Sequence, residues 1–243
     1  MTGTVNYSAA CDVGCMRSNN EDMVYAAGRL LRDGRTAGSA EVTAENAAAW
    51  AVADGMGGYE GGEVASEIVC RAFASFMKSF NPSTPEEAVA ALKSWAVETN
   101  HLVLDSARLR PELSEMGSTF VALVLAGCGT FLINIGDSRC YRLRSGVLKQ
   151  ISTDHSERQL TGDASVPSNL IYNFVGNSPT AFISDVTTLT ALPGDTFLLC
   201  SDGLSDLVDN DRIEELAHDT DALVEEAKAR GGRDNISVIS IEL

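Results

Sequence analysis

Two hundred and forty-three residues, 44% hydrophobic and 21% charged, describe a chain able to bury a sizeable core and exclude the disordered and collagen-like classes. Thirty-four acidic residues against 18 Lys+Arg leave a formal charge of −16, which repels a polyphosphate backbone and argues against a nucleic-acid partner. Six cysteines with no C-x-x-C pair and only three histidines offer no zinc-ligand spacing and read as reduced thiols; with no export signal in the first ten residues, a cytoplasmic chain is expected.

The elements, in chain order, begin with strands over residues 5–10 and 23–27, separated by a polar stretch that holds Arg17, Glu21 and Asp22. Residues 32–49 are polar and Ala-rich and read as a loop. The apolar strand 50–53 then delivers Asp54-Gly55-Met56-Gly57-Gly58 directly before a helix over 63–80, whose apolar residues fall in adjacent i,i+4 columns. A second helix starts where Ser83 and Glu86 have capping-box spacing and continues through Ala88, Leu92, Trp95 and Val103. Residues 117–136 carry no charge for twenty positions, but β-branched and aromatic runs flank a Gly-containing break, so a buried hairpin is expected there and not a membrane span.

Asp137 follows in a turn, then come strands over 140–143 and 147–151, a loop over 157–169, and strands over 186–192 and 196–200. The last of these delivers Ser201-Asp202-Gly203. Helices over 212–217 and 222–230 stop at Gly231-Gly232, and Asp234-Asn235 opens a final strand over 236–241. Strands that come in runs, with helices in two blocks, predict an α+β fold: a four-layer αββα sandwich of two mainly antiparallel sheets flanked by helix pairs. One domain over residues 1–243 is expected, and no repeat suggests otherwise.

Asp54, Asp137, Asp202 and Asp234 all sit at strand ends. Singly, each Asp-Gly is a common turn; together they suggest converging carboxylates, which repel one another unless cations sit between them. Glycine beside them lets backbone carbonyls approach a hard, oxygen-seeking ion. Arg17 offers a planar fork suited to a tetrahedral phosphate. His155, alone between polar residues, reads as structural.

With these segments in hand, the chain resembles the metal-dependent, 2C-type protein serine/threonine phosphatases, most closely their bacterial branch. The resemblance rests on Asp12-Val-Gly with Arg17-Ser-Asn-Asn-Glu21-Asp22, Trp50-Ala-Val-Ala-Asp54-Gly-Met-Gly-Gly58, Gly62-Glu-Val-Ala-Ser66, Met116-Gly-Ser-Thr119, Asn134-Ile-Gly-Asp137-Ser-Arg139, Thr153-Asp-His-Ser156, Leu198-Leu-Cys-Ser-Asp202-Gly-Leu204 and Asp234-Asn-Ile236, in family order over nearly the whole chain. It implies a phosphoserine/phosphothreonine phosphatase that uses a water activated by two Mn²⁺ or Mg²⁺ ions. Asp54 would bridge both ions, the Gly55 carbonyl would bind one, and Asp202 and Asp234 would hold the other. Glu21 and Asp22 would act mainly through bound waters, Arg17 would bind the phosphoryl group, and Asp137 would help to hold a third, weaker ion. Partners would be phosphorylated proteins, a serine/threonine kinase or its substrates among them, met by a monomer.

Two departures from the family pattern matter. Where many eukaryotic members have histidine after the Asp-Gly, this chain has Met56, so the proton donor to the leaving group is unassigned. The loop 157–169 is shorter than in bacterial members, Tyr59 stands where they commonly have histidine, and Asn173 replaces a usual arginine. A catalytically silent member and a phosphatase of small phosphorylated metabolites remain the alternatives; the first should have lost the metal carboxylates that are kept here.

Overall fold

The computed structural model describes residues 2–58 and 61–243, so Tyr59 lies outside the described residues. One sheet contains, from edge to edge, β10 (Val147–Gln150), β9 (Arg139–Arg144), β12 (Thr196–Cys200), β13 (Ile236–Glu242), β1 (Gly3–Asp12) and β4 (Gly34–Val42). The other runs β11 (Asp185–Leu189), β8 (Gly129–Ile135), β7 (Phe120–Ala126), β5 (Ala48–Met56), β2 (Asp22–Ala26) and β3 (Arg29–Leu31), with β6 (Gly117–Ser118) pairing the end of β5. Every pairing among these strands is antiparallel.

Three apolar layers make the sandwich. Alternate residues of the inner strands face opposite ways, so Trp50, Val52, Leu123, Phe197 and Ile239 fill the space between the sheets. Ala51, Phe120 and Ile133 on the other face of the second sheet meet Val69, Phe73 and Trp95 of α1 (Gly61–Met77) and α2 (Pro85–Leu109). Phe73 stands edge-on to both Trp95 and Phe120 with ring centroids 5.0 Å apart, a favourable quadrupole arrangement. Beneath the first sheet, Leu198, Cys200 and Val238 pack on Leu204, Ile213 and Leu223 from α4 (Asp202–Ser205), α5 (Asn210–Leu216) and α6 (Thr220–Ala229). The αββα order is that expected from the sequence.

Residues 117–136 form the buried hairpin β7–β8, and no described helix is long and apolar enough to cross a membrane. All six cysteines are free. Three local expectations need correction. Residues 157–161, read as loop, form the short helix α3 (Glu157–Thr161), capped by the Ser156 hydroxyl, which accepts from the Gln159 N–H at 3.3 Å. Residues 34–42 are not loop but strand β4, paired with β1 along nine positions, because backbone hydrogen bonds hold a small-residue segment extended, with only Ala40 and Val42 reaching the core between the sheets. The cap of α2 is Thr84, whose hydroxyl accepts from the Glu87 N–H at 3.2 Å while the Glu87 carboxylate accepts from the Ser83 N–H at 2.9 Å. Pro85 as the first helical residue shifts the start by one position from the Ser83–Glu86 spacing.

Candidate active site

One end of the sandwich opens into a cavity of about 300 Å³ lined by Arg17, Glu21, Asp54, Gly55, Asp137, Asp202 and Asp234, together with Met56, Gly57, Thr119, Asn169 and Ile171. Seven of the eight residues singled out from the sequence therefore meet in one place. The eighth, Asp22, lies beneath the floor, directly opposite Asp54 in the β2–β5 ladder, and accepts a 2.8 Å hydrogen bond from the Ser201 hydroxyl.

Backbone contacts explain the glycines. The Gly55 N–H donates to the Glu21 carbonyl at 3.2 Å; a Cβ on Gly55 would strike the Gly62 carbonyl and lie 2.6 Å from that of Glu21. At Gly203 a Cβ would strike the Asn235 carbonyl. Only glycine lets β5 meet the start of α1, and the Asp202 turn meet the Asp234 turn, this closely. Asp54 is fixed through its backbone: its N–H donates to the Thr119 hydroxyl at 3.0 Å, and its carbonyl accepts from the Thr119 N–H at 2.8 Å. The Asn235 side chain ties both chain ends together. It donates to the carbonyls of Val13 and Asn19 at 3.0 Å each and accepts from the Glu21 N–H at 2.8 Å, which holds the segment bearing Arg17 and Glu21 against the last strand.

Five cavity carboxylates share a single guanidinium, that of Arg17, which contacts Asp234 at 2.7 Å. Burial, reinforced by neighbouring carboxylates, pushes Asp54 well above the ordinary carboxylate range and raises Asp22 and Asp202 as well. Asp137 goes up to about 8, through burial first and then Asp202 and Asp154. Negative charge crowded among partly buried side chains is relieved by protons or by cations. The donors are all oxygen, with no histidine or cysteine among them, which fits hard divalent ions such as Mg²⁺ and Mn²⁺ and not zinc. Among the described residues, no three such side chains are drawn tightly enough to hold an ion as they stand; the cavity gathers donors on rigid strand ends and leaves the last adjustment to their side chains.

Several residues here went unassigned in the sequence. Thr119 and Asn235 hold the site through contacts between residues far apart in the chain, and Asn169 and Ile171 reach the cavity from the segment after α3 (Glu157–Thr161). The Asp-Asn dipeptide at a strand start was the available signal for Asn235. Asn173, where an arginine was expected, is fully buried and faces away from chemistry: its amide donates to the Ile183 carbonyl at 2.8 Å and accepts from the Ile183 N–H at 3.0 Å.

The sequence model of protein phosphatase 2C matches residues 27–236. The serine/threonine protein phosphatase PstP of Mycobacterium tuberculosis is 35% identical over 259 residues, covering 98% of this chain and 45% of PstP, so the chain spans about half the length of that relative. The serine/threonine phosphatase stp of Listeria monocytogenes is 34% identical over 209 residues, covering 79% of this chain and 82% of stp. The crystal structure of the PstP catalytic domain in complex with two manganese ions superposes with a TM-score of 0.81 at 32% identity, covering 98% of each chain.

Proposed function

The chain belongs to the protein phosphatase 2C family, and from that premise we propose that it hydrolyses phosphoserine and phosphothreonine on proteins at the carboxylate cavity. One observation carries the reading: five carboxylates and one arginine, delivered by separate elements, line a single cavity whose glycines admit backbone oxygens. A silent member has no need to keep all of them.

Asp54, Asp202, Asp234 and the Gly55 carbonyl are the donors for two core ions, Mn²⁺ or Mg²⁺, with Glu21 and Asp22 supporting and Asp137 available to a third. When bound, such ions supply an acidified water as nucleophile and positive charge against the phosphoryl oxygens. Arg17 lines the same cavity, where its guanidinium holds Asp234 at 2.7 Å; its fork would supply donors to the equatorial oxygens, where charge develops in the transition state. The bonds from Thr119 to the Asp54 N–H and carbonyl fix the main chain from which this carboxylate projects. Met56 has no proton to give, and no histidine, lysine or cysteine lines the cavity among the described residues. A departing serine or threonine alkoxide must therefore draw its proton from water, whereas a phenolate leaves without that help.

The substrates proposed are proteins phosphorylated by a serine/threonine kinase, the kinase itself included, in the reducing cytoplasm that suits six free cysteines. Residues 1–243 are proposed to act as one catalytic unit. The test is phosphate release from a phosphothreonine peptide in Mn²⁺, with and without EDTA. Release that chelation abolishes is expected; full turnover in metal-free protein, or none on any phosphopeptide in Mn²⁺ or Mg²⁺, refutes the proposal.

A further inference from the structure

His155 is a buried, heavily bonded side chain that this chemistry does not use. It is 3% exposed, and its ring joins three separate parts of the chain. Nδ1 accepts from the Gly136 N–H at 3.2 Å and from the Asn173 amide at 2.7 Å, while Nε2 lies 3.1 Å from Asp185 Oδ2. The Asn173 amide cannot be turned round, because its oxygen already accepts from the Ile183 N–H. Two N–H groups aimed at Nδ1 leave it the acceptor, so the ring proton sits on Nε2 and donates to Asp185.

The backbone repeats the connection. The His155 N–H donates to the Gly136 carbonyl at 2.9 Å, and the His155 carbonyl accepts from the Tyr172 N–H at 3.0 Å. Gly136 precedes Asp137, which lines the cavity, and Asn173 lies two residues after Ile171, which lines it from the flap, the segment between α3 and β11. Gly136 has φ +102 and would press a Cβ within 2.7 Å of Thr119, so this turn has little freedom of its own. The flap is tied to the catalytic end of the sheets through this ring, through the Ser118–Val175 bridge and through the Ser168 hydroxyl, which donates to Asp206 at 2.8 Å, while Asn100 of α2 holds Gly176 and Asn177 farther along; of these ties only the ring joins it to the Asp137 turn.

We propose that His155 is a positioning residue that sets the flap, and with it Asn169 and Ile171, at a fixed distance from the Asp137 turn, so that the cavity is shaped for the peptide around a phosphorylated residue. This rests on the phosphoprotein reading above. A small aryl phosphate fills only the ion and arginine end and has no peptide for the flap to meet, so loss of positioning acts on KM for phosphopeptides and spares the aryl substrate.

Two replacements separate positioning from packing. His155→Asn places an amide oxygen where Nδ1 was and keeps an acceptor for Gly136 and Asn173. His155→Gln carries a polar group only toward Asp185 and strands both donors. The experiment compares KM and kcat on a phosphothreonine peptide and on para-nitrophenyl phosphate, at saturating Mn²⁺ and below the melting point of every variant. His155→Gln is expected to raise peptide KM about tenfold and to leave aryl kcat/KM within about threefold, with His155→Asn near wild type on both. Asp185→Ala, at a half-exposed residue, is expected to move peptide KM the same way by about threefold, and decides the matter if His155→Gln does not fold. Equal losses on the two substrates, or an unchanged peptide KM in the variants that fold, would overturn the positioning role. Wild-type protein inactive on both substrates refutes the phosphatase reading itself, and the inference with it.

Discussion

Gly55→Ala is the sharpest single test of how the site is built. A methyl group there meets the Gly62 carbonyl inside any permissible contact and the Glu21 carbonyl at 2.6 Å, where unstrained carbon–oxygen contacts begin near 3.3 Å. Both carbonyls belong to backbone, one at the start of α1 and one anchored by the Asn235 side chain beside it, so relief needs a shift of roughly 1 Å in main chain and not a rotamer change. Overpacking of that kind costs about 3 kcal/mol, which for a chain of this size lowers Tm by about 6–12 °C. The same displacement moves Asp54 or the Gly55 carbonyl by a distance that costs catalysis about a hundredfold. Gly58→Ala is the matched control: no described atom lies within 4 Å of its Cβ, and its stability should change by less than about 0.5 kcal/mol. Calorimetry and initial rates on an aryl phosphate in Mn²⁺ read both effects. A Gly55→Ala variant that melts and turns over like wild type would show that the close approach of β5 and α1 is not required.

Asp54→Asn should reduce kcat by at least about a hundredfold while the melting curve stays cooperative, since an amide neither offsets cation charge nor helps to acidify water; normal kcat would remove Asp54 from the centre. Arg17→Ala should lower kcat/KM while Mn²⁺ binding, followed by calorimetry, persists, and loss of Mn²⁺ binding would assign Arg17 a different role. Asp137→Ala removes the residue available to a third ion, whose charge would acidify a nearby water enough to protonate an alkoxide, and so should slow phosphopeptide hydrolysis much more than aryl phosphate hydrolysis; equal losses would refute a role in leaving-group protonation. Away from the site, burial favours the neutral form of Asp195, but hydrogen bonds from Arg144 and the Leu192 N–H outweigh it and hold the carboxyl below the ordinary range. Its contribution to stability is therefore complete above the unfolded carboxylate value of about 4 and is lost as pH falls through the lower folded value. Asp195→Asn should lower Tm at pH 7 by an amount that shrinks below pH ~4; a difference independent of pH would contradict the ion pair.

Much of this could be read before any coordinates. Strands such as 50–53, 120–125 and 196–200 were legible as nearly continuous apolar runs, and Asp54, Asp137 and Asp202 were legible because each follows such a run, while Asp234 precedes one. What escaped notice was set by partners distant in the chain. Strand β4 has the composition of a loop, and only β1 makes it a strand. Asn235 looks like any turn residue until its bonds to Val13, Asn19 and Glu21 are seen across more than two hundred positions. The Asn173 that breaks the family pattern gains its meaning from His155 and Ile183, neither adjacent to it in the chain.

The place of β13 carries a consequence for synthesis. The last strand lies between β12 and β1 inside its sheet, and the carboxylate and amide that complete the cavity stand just before it. Strand β1 has β4 to pair with along one edge, but its other edge must wait for residues 236–242. Until then β1 and β12 each present an unsatisfied edge, the condition under which nascent chains associate wrongly, and pairing between the two ends of a chain is slow to nucleate. A chain clipped before Asp234 should keep its α1–α2 layer and yet hold neither a closed first sheet nor an ion site. The cavity is therefore complete only once β13 stands between β12 and β1.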